Sequence, residues 1–416
     1  MRCRLGLALI TIAATLSGPA LADEAQLATA LPKAAAPVAS GWVFNPDAGF
    51  VYQSDDFKVT TWGFAERIID PSGPDSFRRF RQGAEFDFPR VTARLRPAFV
   101  YEIDLTDTDF FDNGFGGREG FGRRNLENAF LAIQDVDDPG RLRLLIGENT
   151  HILSRDDNLS SGNLPTINRS LILEEHGSVA SFGTQFGVQF QKALSTKLTL
   201  QLAAMDNRGS FNQVKPRYQI GNSLSGKLIV TPFNDADRGR KLTLGLAVDN
   251  TRDIGDRTFI LATAIGQTPL GGAAASGDKL TWEADAAYTF PLFGRPTTLE
   301  AEVMRSRFSQ SRSDVAGGYG MIQWSAFDTP TAGDLDLFVR YDRVSLGQDI
   351  VSGRAIQQAW RTGVNYNLPH TNKLVSLHLE QAHNTLSGPA IIATRDRSAD
   401  EFRLAVRVSL QRYLRH

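Results

Sequence analysis

Long two-faced stretches constrain this chain more than any other feature. In Val91–Leu105 the odd positions are Val91, Ala93, Leu95, Pro97, Phe99, Tyr101, Ile103 and Leu105. The even positions are Thr92, Arg94, Arg96, Ala98, Val100, Glu102 and Asp104. Strand side chains alternate faces, so one face is apolar and the other holds all the charges. Strands of soluble sheets commonly stop near about six residues, whereas a tilted strand crossing a bilayer needs about 9–11. Length and alternation together predict a wall with lipid on one side and water on the other.

The pattern recurs along the chain. Arg79–Phe88 sets Phe80, Ala84, Phe86 and Phe88 against Arg81, Glu85 and Asp87, and Arg141–Glu148 sets Leu142, Leu144 and Ile146 against Arg141 and Arg143. Further strands are predicted at Phe57–Glu66, Leu126–Gln134, Ser181–Gln191, Lys197–Met205, Leu224–Thr231, Arg240–Asp249, Lys279–Phe290 and Thr297–Ser306. Gly317–Ala326, Asp334–Asp342, Trp360–Leu368, Asn372–Gln381 and Asp400–Gln411 complete the set. Thr258–Ile265 is one more possibility. Counting it would turn the tight Pro291–Pro296 and Pro369–Thr371 connections outward and break the alternation of long outer loops with short periplasmic turns. An even strand number and that alternation are the rule for single-chain barrels. The expectation is therefore an all-β, transmembrane antiparallel β-barrel of 16 strands. Residues 250–278 then form one long outer loop, with room for its own hairpin. A soluble sandwich would use shorter strands between regularly spaced turns, and no fixed repeat marks a solenoid.

The first residues read as an export signal. Arg2 and Arg4 precede the apolar run Leu5–Leu16, and Ala20-Leu21-Ala22 supplies a small-x-small cleavage site. The expected organisation is a signal peptide over 1–22, a flexible Ala- and Pro-containing periplasmic leader over 23–50, and a barrel domain over 51–416. Cys3 is the one cysteine and lies inside the signal, which removes thiol, disulfide and cysteine–metal chemistry from the mature chain. Without Arg2 and Arg4 the basic count of 45 falls to 43 against 46 acidic residues, so no global basicity points to nucleic acid.

Several segments resemble the phosphate-selective porin O and P family. Leu126-Glu-Asn-Ala-Phe-Leu-Ala-Ile-Gln134 followed by Leu142–Glu148 resembles that family's strand pair entering the third outer loop. Asn168-Arg-Ser-Leu171 resembles the Arg-Ser step near that loop's end. Leu335-Asp-Leu-Phe-Val-Arg-Tyr-Asp342 resembles a late strand, and Thr362-Gly-Val-Asn-Tyr-Asn-Leu-Pro369 the segment before a periplasmic turn. The resemblance implies a sixteen-stranded, trimeric porin that passes small anions such as phosphate. The family's selective members line the pore with lysines, and this chain departs from them by having very few.

A diffusion channel needs a wet bore and charges that set the barrier for each ion sign. By strand parity Arg94, Arg96, Arg141, Arg143, Arg340, Arg361, Arg403 and Arg407 point inward. So do Glu102, Asp104, Glu283, Asp285, Glu300, Glu302, Asp336, Asp342 and Glu380. A third loop over His151–Val179 is long enough to fold inward, and would bring Arg155, Arg169 and His151 to the narrowest section. These ten arginines, from Arg94 to Arg407, are the candidate pore-lining and anion-binding residues. Mutual neutralisation by the inward carboxylates is the competing reading, and it leads to a weakly selective porin. Asp104, Asp107, Asp109, Asp112 and Asn113 offer carboxylates to a divalent cation at the lipopolysaccharide level, or simply form a solvated loop, and Gly114–Gly122 reads as flexible. A hydrolase or adhesin on the same scaffold is the remaining class. It would need a Ser–His pair held by a third residue, for which Ser376 and His378 are the one candidate pair. No cofactor or metal set is expected. The expected partners are outer-membrane lipid and lipopolysaccharide, small anionic solutes and two further copies of the chain.

Overall fold

The computed structural model describes residues 41–410 apart from 46–48, 55–56, 70–75, 106–125, 139, 160–163, 174–183, 207–221, 255–256, 264–265, 330, 349–353, 372–373 and 389–397. The signal, most of the leader, the Asp107–Gly122 loop, His176 and His416 lie outside the described residues.

Sixteen antiparallel strands close into a barrel. A short hairpin, β1 (Gly41–Asn45) and β2 (Gly49–Gln53), precedes them. The wall starts with β3 (Lys58–Ile69), β4 (Ser76–Asp87), β5 (Leu95–Leu105), β6 (Leu126–Asp135), β7 (Leu142–Thr150), β8 (Thr184–Ser195) and β9 (Leu198–Met205). It continues through β10 (Ser223–Asp235) and β11 (Arg240–Thr251). A separate hairpin follows, β12 (Arg257–Thr263) and β13 (Gly266–Ala275), whose strands pair with each other and form their own sheet. The wall resumes with β14 (Lys279–Leu292), β15 (Arg295–Phe308), β16 (Ser313–Thr329), β17 (Gly333–Gln348), β18 (Arg354–Asn367), β19 (Val375–Ser387) and β20 (Ser398–Leu410). β20 pairs with β3 from Leu404↔Ile69 to Leu410↔Gly63, which shuts the cylinder. Leaving Thr258–Ile265 out of the wall is thus correct, and residues 252–278 are one long connection with its own hairpin.

Two expectations change. Within the leader expected over 23–50, Gly41–Asn45 is a strand that pairs with Gly49–Gln53, and β2 pairs in turn with the start of β3. The opening stretch also starts later: Val91–Arg94 belongs to the connection before β5, with Val91 and Thr92 donating to the Leu95 carbonyl. Arg94 and Arg141 therefore sit exposed on short connections and not on strands.

One end of the barrel carries short turns and the other long connections. One two-residue turn is Phe293-Gly294, closed by the Leu292↔Arg295 pair. Both central residues have positive φ (52° and 74°), the geometry that follows the twist of a hairpin. Alternation sorts the two faces. In β11, Leu244, Leu246 and Val248 are exposed outward, while Ala247 and Asp249 are buried inward. Trp282, Val303, Val339, Trp360, Leu379 and Phe402 continue the exposed apolar exterior. Tyr288 and Phe290 stack toward the turn end, with ring centroids 5.0 Å apart.

A charge on that exterior must face hydrocarbon. Leu246→Arg, midway along β11, is expected to cost about 2–4 kcal/mol. Reversible urea unfolding in lipid vesicles reads that loss directly.

Candidate pore constriction

The third long connection, L3, follows β7 and spans residues 151–183. Its described part lies against the inward faces of β10, β11 and β15–β20. It starts at His151, whose Nε2 is 2.9 Å from Ser225 Oγ. Lys227 Nζ donates to the Leu153 carbonyl at 2.5 Å and pairs with Asp285 at 2.7 Å and Glu283 at 3.3 Å. A single helical turn, α1 (Arg155–Asn158), comes next. Ser154 caps it by accepting from the Asp157 N–H, as short polar side chains do at a helix start.

This turn holds the centre of the site. The Asp156 N–H donates to Glu302 Oε2 at 3.0 Å, and Arg155 pairs with Glu300 at 2.9 Å. The Asp156 carboxylate accepts from the Ser170 N–H at 2.7 Å and faces Arg340 Nη2 at 3.4 Å. Arg340 is buried, with its side chain 1% exposed. Its Nε donates to both Asp342 oxygens at 3.1 Å, and its guanidinium lies 3.9 Å from the Tyr319 ring centroid. Burial pushes the Asp156 carboxyl up, but the Arg340 and Arg169 guanidiniums and the Ser170 N–H overcome this and hold it below the usual carboxylate range.

Three more strands hold the return limb of L3. Glu380 accepts from the Ile167 N–H at 2.8 Å, and Asn365 donates to the Pro165 carbonyl at 2.8 Å. Arg361 donates to the Asn168 carbonyl at 3.3 Å and faces Asp342 at 3.4 Å. Arg407 donates to the Leu164 and Thr166 carbonyls at 2.8 and 3.1 Å, and its Nε pairs with Glu66 at 2.6 Å. Apolar packing backs the polar contacts. Leu153, Leu171, Ile172 and Leu173 of L3 share a buried cluster with Met304, Phe308, Val315, Val344, Leu346 and Leu386.

The candidate arginines separate into three groups. Arg340, Arg361 and Arg407 bind L3 to the wall. Arg155 and Arg169 lie on L3 itself, their side chains 25% and 21% exposed. Arg169 donates to the Asp156 and Leu159 carbonyls. Of the others, Arg143 borders the end of α1, and the rest are away from this junction. Arg96 pairs with Asp87 at 3.3 Å and Arg403 with Glu401 at 2.6 Å. Arg143 lies 5.6 Å from the Phe130 ring centroid, in a recess with Asn158, Gln189 and Gln201. Parity reasoning missed Lys227, Glu66, Asn365 and the apolar seat. Lys227 and Glu66 lie on inward faces of predicted strands, and parity alone could have included them. The seat is harder to find, because Val344 and Leu346 look like outward residues by composition.

Neither serine–histidine pair has the geometry of a nucleophile and its base. Ser376 Oγ is 2.9 Å from His378 Nε2, but the Arg407 guanidinium also faces that nitrogen, at 3.4 Å. At His151, Nδ1 accepts from the Leu153 N–H, and the Asp249 carboxylate lies 3.7 Å from Nε2, the same nitrogen that faces the serine. Asp249 also accepts from the Ser225 hydroxyl at 2.8 Å.

Neither a family model nor a curated protein matches the sequence. Solved structures do match. OmpT, an outer membrane protein of Vibrio cholerae in a trimer form, is similar over 85% of this chain and 100% of its own, with TM-score 0.55 and 11% identity. An anion-selective porin from Comamonas acidovorans covers 85% of this chain and 100% of its own, with TM-score 0.51 and 14% identity. The outer membrane channel DcaP of Acinetobacter baumannii covers 86% and 98%, with TM-score 0.50 and 13% identity. The architecture is thus that of outer-membrane porin barrels.

Removing one partner of a buried ion pair strands the other. Arg340→Gln leaves Asp156 and Asp342 facing each other, an expected local loss of about 3–5 kcal/mol. Hydrogen–deuterium exchange over residues 151–173 then accelerates, while Arg141→Gln on its exposed turn leaves exchange unchanged. Acid acts through Asp156. Its folded value is lowered, so its contribution is complete above the ordinary carboxylate range and is lost as pH falls through the folded value. The L3 segment should resist protease from neutral pH down through that range and become cleavable below it.

Proposed function

We propose that this chain is an outer-membrane porin, a passive channel for small hydrophilic solutes without catalytic activity. The observation that carries the reading is L3, held across the inner wall by ion pairs and hydrogen bonds that reach from β10 to β20. A loop anchored at that many points narrows a bore without closing it by its own motion. The export signal over 1–22 and the apolar exterior support an outer-membrane location. The trimer form of the similar Vibrio cholerae protein supports a homotrimer.

Selectivity follows from which charges retain donors for a solute. Arg340, Arg361 and Arg407 are spent on carboxylates and L3 carbonyls. They fix geometry and contribute little net field, which supports a weakly selective porin. A second reading, preference for anions such as phosphate, rests on Arg155 and Arg169. Both are partly exposed on L3, where a passing oxyanion would meet a planar fork of donors. The phosphate-selective resemblance and the similar anion-selective porin of Comamonas acidovorans agree with it.

Reversal potential across a planar bilayer under a salt gradient separates the two. The expected value lies well short of the Nernst limit for either ion, and R155A/R169A moves it toward cations. An anion-side potential near that limit, abolished in the double variant, would establish the second reading. Absence of any conductance from folded protein would overturn the channel altogether.

A further inference from the structure

Arginine also appears on the wrong side of the wall. On β15–β18 the outward positions near the loop end are Arg305, Arg307, Asp314, Arg343, Ser345 and Arg354. Register sets them side by side. Arg307 faces Asp314, Asp314 faces Gly347, and Gly347 faces Arg354. One step toward the turn end Arg305 faces Ala316, and one further Gly318 faces Arg343. Asp314 binds Arg305 at 2.7 Å and Arg354 at 3.4 Å. Among the described residues, neither Arg307 nor Arg343 has a carboxylate within ion-pair distance. Four guanidiniums thus share this part of the face with one carboxylate, and Gln358, opposite Arg343, is a further polar outward residue.

The level of this patch identifies its ligand. Trp282 faces Arg305 across β14–β15, and Tyr341 and Trp360 pack at a tilt two residues below Arg343, with centroids 4.8 Å apart. At the opposite end of the exterior, Tyr288 and Phe290 form the matching aromatic layer. Trp282 and Tyr288 are six residues apart, about 20 Å along a strand, consistent with aromatic girdles at the two interfaces of the apolar band. Arg305 is level with Trp282, while Arg307, Arg343 and Arg354 lie on the loop side of the girdle residues nearest them. That is where lipid headgroups begin. Guanidinium is the cation suited to a phosphate fork, since it donates two parallel hydrogen bonds and keeps its charge when partly desolvated.

We propose that Arg305, Arg307, Arg343 and Arg354 form an exterior site for the phosphomonoester headgroup of an outer-leaflet lipid. Small side chains make room for it: Ala316, Gly318 and Gly320 leave a shallow floor on β16 between the flanking arginines. Asp314 orients two of the guanidiniums and leaves the set with surplus positive charge. The assignment rests on the long connections facing the cell exterior, but not on the bore conducting.

Folded protein in detergent is titrated with diphosphoryl lipid A, with the same lipid stripped of its phosphates, and with inorganic phosphate, and adducts are counted by native mass spectrometry. The diphosphoryl form should bind about tenfold more tightly than the stripped form, the scale of one charge-assisted contact pair. R305Q/R307Q/R343Q/R354Q should erase that advantage while retaining wild-type conductance. If the quadruple variant does not fold, R307Q and R343Q separately should each reduce it about threefold, since neither breaks an ion pair. Equal binding of the two lipids by wild-type protein overturns the site. Displacement of lipid A by an equimolar amount of inorganic phosphate overturns the lipid assignment in favour of a small-anion site. Loss of conductance with lipid preference intact would count against the porin reading alone.

Discussion

Closure of the sheet between β20 and β3 is the constraint on which everything else depends. Inside hydrocarbon an unpaired strand edge leaves a row of peptide groups without partners, at several kcal/mol each. The Leu404–Leu410 register with Gly63–Ile69 removes that edge. Arg407 lies on this seam and faces inward. It pairs directly with Glu66 across the closing strands, and the rest of its guanidinium takes two carbonyls of L3. One side chain thus joins the last strand, the first strand and the loop across the bore. Disturbing it affects the seam and the constriction together, which makes Arg407 a poor candidate for a solute-binding residue and a strong one for assembly.

Much of the architecture was legible in the sequence because a barrel between two solvents writes itself in period two. Strand parity separated Phe80 from Arg81, and Leu144 from Arg143, without any knowledge of pairing. The requirement for an even strand count excluded Thr258–Ile265, and the reason is now physical: Arg257–Thr263 is satisfied by Gly266–Ala275 alone. Boundaries were less legible. Val91–Arg94 continues the alternation by composition, yet its backbone turns to bond at Leu95. Alternation records which face a residue would take, not where the strand stops. The hairpin at Gly41–Gln53 was missed for a related reason, since its strands are only five residues long.

The site was legible as a set of residues but not as a set of partners. Parity placed Arg340, Arg361 and Arg407 inside, and placed Asp342, Glu302 and Glu380 inside with them. Whether such charges face a solute or one another depends on long-range registers that no local pattern carries. Asp156 and Arg340 are 184 positions apart, and Ile167 meets Glu380 across 213. The apolar seat beneath L3 was hidden by the same rule that revealed the wall, because a two-solvent model allows no reason for Val344 and Leu346 to face inward. A loop that folds into the bore creates a third environment, drier than the lumen, and apolar inward positions near the strand ends are its trace.

The contrast between inner and outer arginines then has one explanation. Inside, burial makes an unpaired guanidinium costly, so Arg340, Arg361 and Arg407 are each matched to a carboxylate, and the pairs contribute geometry more than net stability. An apolar contact of equal volume would hold L3 as tightly but would not specify which residues of the loop meet which strands. Outside, near the loop end, a guanidinium within reach of water carries little desolvation cost, and Arg305 and Arg354 share one carboxylate, Asp314. Surplus charge is therefore stable on the exterior and unstable in the seat of L3. The same residue type serves as a fastener where the environment is dry and as a receptor where a mobile phosphate can reach it.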